Sequence, residues 1–298
     1  MNSAPGACRT AWLALGWCLA LTACGDVLAG TAGDPTAAAG GRYTTTATVI
    51  EGPDHGPQLC TSVMESYPPQ CGLASIEVVG WDWTALDGSD AERGTTWGDY
   101  VVIGTYDGQR FTITGTPTPD VAPEPTPGPP PATTPCPPPA DGWGVVDAAT
   151  ATYEAQDAAV AYAQAQPDHV AVWVDSSINP AHAMKDSEIT ADTLWMFNDP
   201  TKLILNVRFT GDPERHEQAL RAIWGGALCV SSGARTSAEL ESLRAALHDE
   251  LDPLGSSVDG RAGQVVLHVI VDDGLQAELD QRYGPGLVQV HALLTPVD

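Results

Sequence analysis

Residues 202–210, KLILNVRFT, alternate between apolar and polar side chains, so that Leu203, Leu205, Val207 and Phe209 share one face of an extended strand. Around this strand the second half of the chain shows a helical period. Residues 148–166 are Ala-rich and helical up to Pro167, and HVAVWVD (169–175) follows as a strand. Asp212-Pro213-Glu214 opens a helix with an acidic N-cap and a proline in its first turn. Leu220, Ile223 and Trp224 form its inner face, and Gly225-Gly226 ends it. ALCVS (227–231) is a short strand. Thr236-Ser237-Ala238-Glu239 is a capping box, backed by the stripe Leu240, Leu243, Leu247 and Leu251. QVVLHVIVD (264–272) is apolar on both faces, as for a central strand. GLQAELDQRYG (274–284) is a short helix, and LVQVHALL (287–294) the last strand. The order β-α-β-α-β-α-β predicts, over residues 143–298, an α/β sandwich with helices on one face of a mixed sheet.

The earlier part has no helical period. TTTATVIE (44–51), ASIEVVGW (74–81), DYVVIGTY (99–106) and RFTITG (110–115) are rich in β-branched and aromatic residues. Asp107-Gly108 between the last two predicts a tight hairpin with φ > 0 at both central residues. Residues 43–115 therefore read as a small all-β barrel or sandwich. Residues 116–142, TPTPDVAPEPTPGPPPATTPCPPPADG, form neither helix nor sheet by this reading, because proline fixes φ and lacks a donor. They predict an extended Pro-rich spacer rising about 3.1 Å per residue. The expected organisation is thus two domains joined by a linker.

Residues 11–23, AWLALGWCLALTA, follow the single charge of Arg9. This apolar run is shorter than the about 20 residues of a spanning helix and has the length of a signal-peptide core. It ends in Leu21-Thr22-Ala23-Cys24, an aliphatic residue, two small ones and a cysteine. These four positions resemble the lipobox of bacterial lipoproteins. The resemblance implies that residues 1–23 are removed and that Cys24 receives a diacylglyceryl group. Residues 24–42, rich in Gly, Ala and Thr, would then be a lipidated flexible tether. Two buried acyl chains hold stably where one is marginal. The expected location is the cell membrane, lipid-anchored and facing outside the cytoplasm.

Charge narrows the partners. Over 298 residues, 38 acidic side chains face 13 basic ones, a formal net charge of −25. Neutralising a polyanion needs clustered Lys and Arg, so nucleic acid is not an expected partner. Basic-patch docking on anionic lipid is also excluded, which leaves the membrane contact to the anchor. Of seven cysteines, Cys8 and Cys18 leave with the signal and Cys24 carries lipid. The remaining four suggest two disulfides in an exported chain. Domain boundaries select Cys60–Cys71 and Cys136–Cys229 from the three pairings; a cysteine metal site would bring its ligands in closer pairs.

Candidate chemistry is sparse. His216-Glu217 begins like H-E-x-x-H, but Leu220 occupies the position of the second histidine. No G-x-S-x-G, G-x-x-x-x-G-K-[ST] or G-x-G-x-x-G motif occurs. No catalytic residue, metal site or cofactor is expected. His268, in a central strand, reads as a hydrogen-bonded core histidine. Asp82, Asp87, Asp90 and Glu92 cluster near Gly88 without EF-hand spacing and read as a solvated turn. Trp81 and Trp83, two apart, are placed on one face of a strand, as barrel core or as a ligand-facing platform.

Two further resemblances complete the picture. GPQLC (56–60), PPQCG (68–72) and GWDW (80–83) resemble a group of actinobacterial exported lipoproteins of unassigned function, which implies export and a disulfide. RTSAELESLRAAL (235–247), VDGRAGQVVLHVIVDD (258–273) and RYGPGLVQV (282–290) resemble the C-terminal lobe of alpha-lytic and streptogrisin-type protease pro-regions. That lobe pairs its sheet edge with its protease, so this resemblance implies an exported serine protease bound in trans. The protease itself is absent, since no Gly-Asp-Ser-Gly-Gly occurs. The reading that results is a non-enzymatic membrane-anchored lipoprotein with a binding or envelope-maintenance role. An envelope protein or an exported protease is the expected partner, and a hydrolase with scattered residues is the remaining alternative.

Overall fold

The computed structural model describes residues 41–72, 74–120 and 133–297. The expected signal peptide, Cys24 and most of the tether lie outside the described residues.

The first element, β1 (Arg42–Gly52), turns into β2 (His55–Cys60). A small hairpin follows, β3 (Val63–Met64) with β4 (Gln70–Cys71). Then come β5 (Ser75–Val79), β6 (Asp90–Glu92), β7 (Thr95–Tyr106), β8 (Arg110–Ile113) and β9 (Thr118–Pro119). The long strands pair as β1-β2-β5-β8-β7, and β7 pairs back to β1 over ten residues, which closes a five-stranded barrel. Every pair is antiparallel except β5 with β8. Counted one to five in chain order, the ring runs 1-2-3-5-4-1, the Greek-key connectivity of an OB-type barrel. Strand alternation fills it with Val49, Leu59, Ile76, Val78, Tyr100, Val102 and Phe111, all buried. Gly104 lets β7 approach β8, because a Cβ there would collide with the Thr112 carbonyl.

Two expectations for this region are corrected. At the β7–β8 turn only Gly108 has positive φ, at 96°. Asp107 keeps φ negative because its Oδ1 accepts from the backbone N–H groups of Gln109 and Arg110, an Asx turn. The strand bearing Ile76 and Val78 stops at Val79, since Gly80 has φ +87°, so Trp81 and Trp83 do not share a strand face.

Both ends of the predicted proline-rich spacer, residues 116–142, contact folded elements. At its start β9 pairs with β7, and Asp120 N–H donates to the Asp99 carbonyl. At its end, Thr134 donates from both N–H and Oγ1 to Asp175 Oδ2, at 2.9 and 2.7 Å. Burial would raise the Asp175 pKa, but hydrogen bonds from Ser177 and Thr134 outweigh it and hold it below the usual carboxylate range. Residues 121–132 lie outside the described ones.

The remaining elements are α1 (Tyr153–Gln164), β10 (His169–Asp175), β11 (Ile204–Phe209), α2 (Pro213–Arg221), β12 (Ala227–Ser232), α3 (Ser237–Leu251), β13 (Gly255–Asp259), β14 (Gln264–Val269), α4 (Leu275–Tyr283), β15 (Val288–Ala292) and β16 (Thr295–Pro296). The predicted caps are present: Asp212 accepts from Glu214 and Arg215 N–H, and Thr236 with Glu239 completes the capping box. The single mixed sheet is replaced by two three-stranded sheets, β10-β11-β12 and β13-β14-β15. Each has its first pair antiparallel and its second pair parallel.

The order α-β-β-α-β therefore occurs twice, as α1-β10-β11-α2-β12 and as α3-β13-β14-α4-β15. The parallel registers match: Leu205↔Leu228 corresponds to Val265↔Val288, and Val207↔Val230 to Leu267↔Val290. In the first repeat Ala159, Ala163, Leu220 and Trp224 cover Leu205, Val207 and Leu228. In the second, Leu240, Leu247 and Leu279 cover Val265, Leu267 and Val288. The repeats differ in one connection, residues 176–203 between β10 and β11 against residues 260–263 between β13 and β14.

The expected two-part division is crossed by the end of the chain. β16 pairs with β1, Thr44↔Thr295 and Tyr43↔Pro296, and Val297 N–H donates to the Arg42 carbonyl. Leu294 is fully buried in the barrel core, with Ile270, Val271 and Leu293 packed against it. Disulfides Cys60–Cys71 and Cys136–Cys229 are both present, one within the barrel region and one tying residue 136 to β12. Removing a buried leucine side chain costs about 2–5 kcal/mol. Leu294→Ala should lower the unfolding free energy by that amount, with the barrel tryptophan fluorescence shifting along the same urea transition as far-UV circular dichroism.

Candidate functional site

A cleft of about 330 Å³ opens between the two repeats. Val170 of β10 and Arg208 of β11 line one side, and Gly233-Ala234-Arg235, the passage from β12 to α3, lines another. The β13–β14 turn and the α4–β15 loop complete it, with Gly260, Gly263, Gly284 and Gly286 at the surface. Gly284 and Gly286 have φ of 91° and 80°, so the Tyr283–Leu287 loop folds back in a shape that favours glycine.

The cleft's electrostatics oppose those of the chain. No aspartate or glutamate lines it, although acids outnumber bases almost threefold overall. Arg208 is held: Nη1 donates to the Arg261 carbonyl at 2.5 Å, Nε to Ser231 Oγ at 3.4 Å, and the guanidinium lies 5.3 Å from the Trp173 ring centroid. Arg235 is exposed. The neighbouring acid, Asp259, spends its Oδ1 on the N–H groups of Arg261 and Ala262 within its own turn. The result is one hydrogen-bonded and one exposed guanidinium, the latter also near Glu239, at a glycine-walled space, which suits a small anion-bearing ligand. Sequence reading missed this site because its residues span positions 170–287. The local signals were only Gly-x-x-Gly at 260–263 and Gly-Pro-Gly at 284–286.

The residues singled out from sequence fall elsewhere. Trp81 and Trp83 pack edge-to-face on Tyr100, with centroids 5.0 and 6.1 Å away, and Trp83 Nε1 donates to Glu51 Oε2 at 2.6 Å. Both are half-buried against the barrel core. Asp82 caps the short turn after β5 by accepting from Thr84 N–H and Oγ1, which lowers its pKa. Among the described residues no group of three or more His, Cys, Asp or Glu side chains could hold a metal ion. The OB-type barrel's β2–β5 face carries Gln58, Glu77 and Ser75, with no cation among these positions.

His216 has no exposed side-chain surface. Its Nε2 donates to Asp168 Oδ2 at 2.9 Å, its Nδ1 accepts from the Tyr162 hydroxyl at 3.2 Å, and its ring stacks on Phe209 at 3.7 Å. This dyad resembles a general-base pair in composition, but burial denies it substrate. It joins α1, the residue before β10 and α2 instead. Burial alone would raise the Asp168 pKa; the His216 hydrogen bond, the Asp168 backbone N–H and nearby Arg215 together hold it below the usual range. Burial pushes the neighbouring His169 imidazole down.

His268 corrects the expectation of a core histidine. β14 is central, yet its sheet has helices on one face only, so Val265 and Leu267 point to them while His268 is exposed on the other face. There it lies directly across from His291 of β15. The outer edge of β15 is occupied by a side chain: Gln276 Nε2 donates to the Val288 carbonyl at 2.9 Å, and Gln276 Oε1 accepts from Val290 N–H at 2.8 Å.

Comparison with protein-family models, curated proteins and solved structures finds no match to this chain.

Asp168→Asn should destabilise the protein at neutral pH by about 1.5–3 kcal/mol, the worth of a charge-assisted hydrogen bond. Because the folded pKa lies below the unfolded value near 3.9, the contribution is full above that value and is lost as pH falls through the folded pKa. Urea midpoints of wild type and variant, separated at pH 7, should converge below about pH 4.

Proposed function

We propose that this chain is an exported, lipid-anchored binding protein without catalytic activity of its own, and that it takes an anion-bearing ligand in the Arg208–Arg235 cleft. The observation that carries the binding site is the acid-free, two-arginine cleft in a chain of net charge −25. Anchoring through Cys24 rests on the lipobox-like Leu21-Thr22-Ala23-Cys24 and the apolar run before it. The two disulfides support an oxidising compartment, since cytosolic thiols are kept reduced. The finer organisation proposed is a lipidated tether, the barrel, the proline-rich spacer and the paired repeats, held outside the cytoplasm.

The absence of catalysis in this reading rests on the burial of His216, whose Asp168 and Tyr162 partners would suit a general base. An exported protease bound by strand addition is the less favoured partner. Addition at β15 would have to displace Gln276 from both of the backbone groups it fills. An envelope component bearing carboxylate or phosphate groups fits the cleft better.

Metabolic labelling with an alkyne fatty acid should mark the wild type and not Cys24→Ala, and the variant should move from the membrane to the soluble fraction. Equal labelling of both would remove the anchor. For the cleft, calorimetric titration with inorganic phosphate, citrate and glucuronate should show saturable binding to at least one. Arg235→Glu should abolish that binding with the urea midpoint unchanged. Absence of binding by all three, or binding insensitive to Arg235→Glu, would retire the cleft as the site.

A further inference from the structure

We propose that His268 and His291 form a two-imidazole site for a borderline divalent transition-metal ion, of the Zn²⁺, Ni²⁺ or Cu²⁺ class. The two residues are register partners on adjacent parallel strands, with ring centroids 5.5 Å apart and planes within 23° of each other. Both are exposed, and neither ring makes a hydrogen bond or ion pair among the described residues. They lie in a groove of about 410 Å³ whose lining includes Thr61 of the barrel region, Gly255 of β13 and Leu293. Among the described residues, no other titratable side chain lines that groove.

The packing of the chain does not account for the pair. Two polar rings side by side on an uncovered sheet face bury little and satisfy nothing. Their chemistry accounts for it better. Neutral imidazole nitrogens are preferred ligands for Zn²⁺, Cu²⁺ and Ni²⁺, whereas Ca²⁺ and Mg²⁺ select oxygen. At Zn–N distances of about 2.0–2.1 Å a tetrahedral ion spans ligand nitrogens roughly 3.3 Å apart. Near-parallel exposed rings reach that separation by turning about their side-chain bonds. The ladder already fixes their backbones about 4.8 Å apart, so the ordering cost of binding falls on the side chains alone. The acidic chain concentrates cations near its surface. With only two protein ligands, water or a partner fills the remaining positions, and the ion is exchangeable.

The site is independent of the arginine cleft, and its residues lie 23 positions apart, outside any spacing that sequence motifs recognise. The test is calorimetric titration of the purified full chain with zinc chloride and, separately, nickel sulfate. One equivalent should bind at pH 7.5. Loss of even an outer-shell partner weakens metal sites by roughly 10–100-fold, so His268→Gln and His291→Gln should each weaken binding by at least that range. His182→Gln with His248→Gln should leave it unchanged. Paramagnetic Ni²⁺ should broaden the imidazole proton signals of these two histidines first. No saturable binding, or one equivalent retained in the His268→Gln/His291→Gln double variant, would overturn the proposal.

Discussion

The structure depends on the return of the C-terminus to the first strand. Leu294 enters the barrel core and β16 extends the barrel sheet beside β1. Ile270 and Val271, which follow β14, pack against the same core. Through that return, β15 leads directly into the barrel, and the groove holding His268 and His291 acquires its second wall from the Cys60–Cys71 region. The same return orients the second repeat, whose β14 runs on through Ile270 and Val271 into the barrel core.

The duplicated α-β-β-α-β unit explains why the two sheets present different surfaces. In both repeats the helices cover one face. In the first, the other face carries Ile204, Ala227 and Cys229, packed against Cys136, Trp143 and Ile178 from the residues before α1 and from the long β10–β11 connection. The disulfide Cys136–Cys229 staples that cover in place. In the second, the β13–β14 connection is a short turn and no equivalent cover occurs among the described residues, where Ser257 and the two histidines are exposed. Two differences, the long β10–β11 connection and the disulfide-tied segment before α1, thus give the first sheet a cover on its second face.

Local signals were legible in the sequence. The alternation of residues 203–209, the Asp212 cap and the Thr236 capping box each act over a few residues and appear where expected. The disulfide pairing was legible because few pairings fit the region boundaries. β2 was missed because HGPQLC has neither alternation nor β-branched residues; its place is set by β1 and β5 on either side. β13 was missed because GSSVD is a polar edge strand with one inward apolar residue, Val258. One sheet was expected where two exist, because hydrophobic period assigns residues to strands and not strands to sheets. The cleft was invisible for the same reason: Arg208, Arg235 and the glycines of two loops meet only through the packing of one repeat on the other.

The chain's charge then acts differently on its two openings. At physiological ionic strength the field of a charge decays over about 8 Å. Most of the 38 carboxylates therefore reach an occupant of the arginine cleft only weakly, and the cleft's own lining decides what enters. In the proposed binding mode the two guanidiniums favour an anion despite the negative total. The histidine groove has no charged lining of its own, so the residual negative field works unopposed there and favours cations. Lowering the salt concentration lengthens the screening distance, and this strengthens the cation preference of the groove while it weakens anion entry to the cleft. In this proposal, two sites of opposite preference follow from where the few basic side chains and the exposed imidazoles are placed within the field of one acidic protein.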